Sequence, residues 1–234
     1  MVVTRFDRRP RSAVTPFVLH CGSPLLPIAL TDVPLRSADA VPTDDDCSAL
    51  FSDIESAPAP RIIVLGDDAS LAAVLTRLMR TDRLHVEVAF VPETATNAAH
   101  IYKLGTGSRA AKVALTGTAS STPLIRDDAG KAVVGRALLG GADGAELEGE
   151  AYVDDTRLFS GVVPGVEVAP TPELPGLRAR VIGRRRLLPR RWVSGRAMQL
   201  GSPAAQLLRD GIAGDRTVKR STFYRHDQEW LLVR

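Results

Sequence analysis

The chain has 234 residues, of which 44% are hydrophobic and 24% charged, with a net charge of +3. That balance excludes a disordered, fibrous or collagen-like protein and allows one large domain or two small ones. Aromatic residues make up only 5%, so the core has to be aliphatic, and of the 30 basic residues only Lys103, Lys112, Lys131 and Lys219 are lysine. GC-rich coding explains such an arginine bias, which is not in itself a sign of nucleic-acid binding.

The first dozen residues carry four arginines and read as an exposed arm. The apolar stretch 17–30 is interrupted by His20, Gly22, Pro24 and Pro27, so it reads as short strands and turns. It is neither a membrane span, which needs roughly 18–20 apolar residues, nor the core of a secretion signal. Cys21 and Cys47 lack metal-ligand spacing and read as reduced thiols of a cytoplasmic, bacterial-type protein. Residues 31–42 are polar and contain proline, which predicts a loop. Thr43 is placed to cap a helix whose first turn holds Asp44, Asp45 and Asp46, where carboxylates suit the helix dipole.

Ile62 to Leu65 is a continuous apolar run of the kind that forms a buried parallel strand. A turn at Gly66 to Ala69 follows, then a helix that Ser70 could cap, with Leu71, Val74, Leu75, Leu78 and Met79 on one face. A second strand over 86–91 leads through Pro92 into a second helix over 96–104. This alternation predicts a parallel α/β layer, and such sheets bind ligands at the carboxyl ends of their strands. Beyond residue 113 the helical period fades. Short alternating runs between turn signals predict an antiparallel β sandwich, with Trp230 to Val233 among its closing strands. The boundary drawn from this change separates residues 1–112, an α/β domain, from 113–234, a β-rich domain.

The order of these pieces resembles the diacylglycerol kinase catalytic-domain family, distantly related to NAD kinases. The family's loop G-G-D-G-T corresponds to Gly66-Asp67-Asp68-Ala69-Ser70, and its loop P-x-G-T-G-N to Pro92-Glu93-Thr94-Ala95-Thr96-Asn97. Its D-G-E corresponds to Asp210-Gly211-Ile212. The resemblance spans roughly residues 60–234 and implies an NAD kinase-like α/β half followed by a lipid-kinase-like β half. It also implies that Gly66, Asp67, Asp68, Ser70, Thr94, Thr96 and Asn97 are the remnants of the nucleotide loops.

The departures from the pattern bear on function. Glycines in such loops let backbone amides reach phosphates. Here Asp67 sets a carboxylate where a phosphate would approach a helix N-terminus, and Thr94 and Thr96 add Cβ atoms to the second loop. Ile212 replaces the acid that is the candidate general base, and the family's N-terminal N-P-x-S-G loop is not recognisable. Phosphoryl transfer depends almost wholly on positioning and electrostatics. The expectation is therefore a pseudo-kinase with no catalytic residue, no metal and no cofactor, acting as a binding, scaffolding or regulatory protein. The alternative is a divergent ATP-dependent lipid kinase in which Asp67 and Asp68 hold Mg²⁺.

Two glycine-rich stretches are excluded as phosphate loops. Leu139 to Gly144 lacks a following helix and reads as a hairpin turn, and Gly105-Thr106-Gly107 reads as a helix C-cap. The four histidines are scattered, although His100 follows the second loop closely enough to face a cleft. Between Glu173 and Asp210 there is no acid but nine arginines, so the rest of the chain sums to −6. Arg184, Arg185, Arg186, Arg190, Arg191 and Trp192 form its centre, a mixture that suits an anionic membrane surface. The alternative is a solvated hairpin whose arginines pair elsewhere. Candidate partners are an anionic lipid surface at the inner membrane face, a protein, or a second copy of the chain. Nucleic acid is the remaining alternative, and the scarcity of aromatics argues against single strands.

Overall fold

The computed structural model describes residues 14–183 and 191–234. The basic-patch residues Arg184, Arg185, Arg186 and Arg190, and the N-terminal arm, lie outside the described residues. Strand β1 (Thr15–Cys21) leads through a loop to β2 (Leu35–Ala38), helix α1 (Asp44–Ile54), β3 (Pro60–Leu65), helix α2 (Asp68–Arg80) and β4 (Glu87–Val91). Helices α3 (Asn97–Ile101) and α4 (Gly107–Thr116) follow, then β5 (Ala119–Thr122). The β-rich part comprises β6 (Ile125–Asp127), β7 (Ala132–Val133), β8 (Ala137–Gly141), β9 (Leu147–Val153), β10 (Thr156–Val163), β11 (Val166–Pro170) and β12 (Leu177–Val181). It continues with β13 (Val193–Gly195), β14 (Ala197–Arg209), β15 (Ile212–Ala213) and β16 (Val218–Arg225), and the chain ends on β17 (Trp230–Val233).

The first sheet has the order β2-β1-β3-β4-β17-β5, parallel throughout except for β5. Both faces are covered, which is why β3 reads as unbroken apolar sequence. Ile62 and Val64 face α1, α2 and α3, while Ile63 and Leu65 face the alanines Ala110, Ala111 and Ala114 of α4. The second sheet has eleven strands, antiparallel throughout, around its own core of Leu139, Leu147, Val166, Val168, Leu200 and Phe223. A parallel α/β layer joined to a large antiparallel β layer is the fold class that the sequence indicated.

Several local expectations need correction. The polar segment 31–42 contains β2, a short strand at the edge of the first sheet. The second helix, expected over 96–104, ends earlier as α3, and a further helix, α4, follows that the sequence did not indicate; Lys103 at φ 57 and Gly107 at φ 50 turn the chain between them. Gly107 therefore opens a helix rather than ending one. Leu139 to Gly144 does turn, but β8 and β9 do not pair as a hairpin; each pairs with a different part of the long strand β14. Trp230 to Val233 does not close the β-rich part: β17 inserts between β4 and β5, so two strands from beyond residue 112 complete the first sheet.

One cation ties α4 to this sheet. Arg61, 3% exposed, forms an ion pair with Glu87 at 2.6 Å and donates to the carbonyls of Ala114 at 2.8 Å and Gly117 at 3.0 Å. It thus neutralises the carbonyl end of α4, where a cation is favourable. Arg61→Met strands Glu87 and those carbonyls, so a loss of about 3–5 kcal/mol is expected; the shift of the urea midpoint measures it.

Candidate functional site

The carboxyl ends of β3 and β4 open on a cleft of about 260 Å³ facing the second sheet. Its walls include Asp67, Asp68, Thr96 and Asn97 from the two loops, and Arg136, Asp210 and Gly211 from the β-rich part. Four of the residues singled out from sequence are thus brought together. Gly66 and Ser70 lie behind them, and Thr94 is exposed outside the cleft lining.

Helix α2 is capped by Asp67, not by Ser70. The Asp67 carboxylate accepts the Ser70 amide at 2.9 Å, and the Ser70 hydroxyl accepts the Asp67 amide at 3.2 Å. This reciprocal capping box satisfies two of the amides that a helix N-terminus leaves open. The Ser70 hydroxyl donates to the carbonyl of Ala40 at 2.7 Å, which pins the loop to the segment before α1. Gly66 is required by this packing. A Cβ there would stand 2.5 Å from the Ser70 hydroxyl and 3.0 Å from Cys21 Cβ.

Asp68 points the other way and is buried. Its carboxylate accepts the Ala98 amide at 3.2 Å, at the start of α3, where Thr96 caps the Ala99 amide at 3.1 Å. Burial pushes the Asp68 carboxyl above the usual carboxylate range, against the opposing pull of its hydrogen bonds to Thr96, Ala98 and Asn97. The second loop therefore meets the first through an aspartate seated on its amides.

Asp210, at φ 45 in the turn between β14 and β15, completes the arrangement. It accepts three consecutive amides of the β7–β8 connection, those of Val134 at 3.0 Å, Gly135 at 2.8 Å and Arg136 at 2.8 Å. Burial pushes its carboxyl up to about 7, the three amides hold it down, and the charge of Asp68 adds to the rise. Gly135 separates the two acids: a Cβ on it would lie 2.5 Å from Asp68 Oδ2 and 3.0 Å from Asp210 Oδ1. Buried Tyr102 stands beneath both and stacks edge-on against Trp230 at 5.6 Å. Asp210 and Arg136 are the cleft residues that the sequence reading did not single out. The D-G pair of the third motif was the signal, overshadowed by the substitution at Ile212.

The cleft is thus acidic, with Arg136 its only cation among the described residues. Three sets of amides that could receive phosphate oxygens are met by Asp67, Asp68 and Asp210. Among the described residues no group of three or more His, Cys, Asp or Glu side chains could hold a metal ion. Of the basic patch, Arg191 is exposed and Trp192 lies between the guanidinium groups of Arg178 and Arg180 at 4.3 and 4.2 Å. No helix among the described residues is long and apolar enough to cross a membrane.

No family model and no curated protein matches the sequence. Solved structures do match. A diacylglycerol kinase from Bacillus anthracis str. Sterne superimposes with a TM-score of 0.67 at 10% identity, covering 96% of this chain and 98% of that one. An NAD kinase from Archaeoglobus fulgidus, solved in complex with ATP, gives a TM-score of 0.61 at 12% identity, covering 94% of this chain and 93% of that one. The chain has the diacylglycerol kinase and NAD kinase-like fold over nearly its whole length.

Two expectations concern the acid pair. Gly135→Ala forces its Cβ between Asp68 and Asp210, and a loss of about 1–3 kcal/mol follows from such overpacking, read from urea unfolding. Because the Asp210 carboxyl binds its proton more tightly when folded, its contribution to stability is full below the ordinary carboxylate range. That contribution fades as pH rises through about 7. The native protein should therefore lose stability relative to Asp210→Asn between about pH 4 and 7 and level off above that. Parallel unfolding curves at all pH values would refute the assignment.

Proposed function

We propose that this chain is a non-catalytic protein built on the diacylglycerol kinase-like fold, a pseudo-kinase that acts by binding, scaffolding or regulation. One observation carries the reading: amides at the cleft, those of Ser70, Ala98, Val134 and Gly135, are taken by the chain's own Asp67, Asp68 and Asp210. An incoming phosphate meets carboxylates where it needs free N–H groups, and the charge of the site repels it. The position of the candidate general base is taken by Ile212, which is 46% exposed and has no proton to exchange. Thr96 commits its hydroxyl to capping α3.

A divergent kinase remains the second reading, favoured by Arg136, which lines the cleft and is exposed. ATP with Mg²⁺ would be its co-substrate. In either reading a cytoplasmic location is proposed. The partner classes proposed with it are a protein, a second copy of the chain, or the anionic inner face of a membrane met by the arginine-rich β12–β13 segment.

Thermal melts in millimolar ATP, with and without Mg²⁺, separate the two readings. A nucleotide present at 100 times its dissociation constant stabilises its protein by about 2.7 kcal/mol, which raises Tm by about 5–10 °C in a chain of this size. No shift, and no transfer of labelled γ-phosphate to diacylglycerol or NAD, is expected. A Mg²⁺-dependent shift accompanied by phosphorylated product would overturn the non-catalytic reading.

A further inference from the structure

A second groove lies away from the cleft, between α3 and the β11–β12 turn. It has a volume of about 580 Å³ and is walled by Ile101, Leu104, Pro170 and Pro172, with His100, Lys103 and Arg178 at its polar edge. Its one acid, Glu173, is exposed and forms no ion pair with any of these three.

Arg178 differs from Arg180 and Arg209, the paired arginines of the basic stretch. On the antiparallel pair β11–β12, Arg180 stands opposite Glu167 and forms an ion pair with it at 2.5 Å, whereas Arg178 stands opposite Ala169. Arg209 is likewise paired, with Asp127. Arg178 has no carboxylate partner among the described residues, and its Nε is buried with no hydrogen-bond acceptor. Buried donors without acceptors are uncommon and costly. The side chain is nevertheless held in place, its guanidinium lying 4.3 Å from the centre of the Trp192 ring. Such stacking fixes the plane and leaves the donor edge free for a planar or tetrahedral anion. Lys103 and His100, both exposed, extend the same edge from α3 and add donors that form no ion pair with Glu173.

We infer that this groove binds a small organic phosphate, whose phosphate group sits against Arg178 and Lys103 and whose body lies along Ile101, Leu104 and the two prolines. The inference is independent of whether the cleft transfers phosphoryl groups. A phosphate of this kind is carried by a soluble phosphomonoester or by a lipid headgroup, and the chemistry at Arg178 is the same for both.

Glycerol 3-phosphate titrated by calorimetry supplies the soluble arm, and flotation with phosphatidic-acid against phosphatidylcholine vesicles supplies the lipid arm. Loss of a charge-assisted hydrogen bond to Arg178 should weaken binding about tenfold or more in Arg178→Gln. Lys103→Gln, at an exposed site that leaves the fold intact, should weaken it about threefold. Arg136→Gln, in the acidic cleft, should bind as the native protein does. Saturable glycerol 3-phosphate binding with that order of variants places the ligand in solution. Selective flotation with phosphatidic acid, lost in the Arg178 and Lys103 variants, places it in a membrane. Unchanged binding in both variants, loss of binding in Arg136→Gln instead, or no binding in either arm up to about 10 mM would overturn the inference.

Discussion

The carboxylate of Asp210 is the contact on which the cleft depends. It belongs to a turn at the end of β14, in the second sheet, and it holds three successive amides of the connection between β7 and β8. That connection also packs against the first layer, through Val134 in the core beneath α2 and the Ala132 amide on Thr76 of α2. A single side chain thus fixes the peptide segment that faces the two loops at the ends of β3 and β4. Asp68 approaches the same segment from the other side, so the distance across Gly135 is set by two acids that repel each other when both are ionised. The protonation of this pair and the shape of the cleft are one physical problem.

The same principle governs both helix starts in the site. An N-terminus leaves amides that need an acceptor, and a glycine-rich loop leaves that role to a ligand. Here the acceptors are built in: Asp67 for α2, and Thr96 with Asp68 for α3. Each such cap is worth about 1 kcal/mol and is supplied by the chain itself. Side chains that serve as internal acceptors cannot at the same time leave the amides open.

The main architecture was legible in the sequence because it rests on local patterning. The unbroken run Ile62 to Leu65, the apolar face from Leu71 to Met79 and the cap at Thr43 all fell where expected. What the sequence hid was non-local. The face of α4 is made of alanines, too small to mark a helix by period, and its carbonyl end is satisfied by Arg61, which lies 53 residues from Ala114. The chain's last strand reads as any short apolar run, and only pairing reveals that it enters the first sheet. Within the cleft, loop residues close in sequence were found, but Asp210 acts on amides 74 to 76 positions away, which no motif spacing discloses.

The identity of the capping residue changes how the departures in the first loop should be understood. With Ser70 as cap, Asp67 would be a charge left in the approach of a ligand, and removing it would reopen the site. With Asp67 as cap, its carboxylate is half of a reciprocal pair with Ser70, and Ser70 in turn anchors Ala40 and forbids any side chain at Gly66. Replacing Asp67 by glycine would then free an amide and unfasten the loop together. The residues of this loop support one another through packing and capping, so changing one of them disturbs the others. Gly66 is held to glycine by its own loop, because Ser70 fills the space beside it.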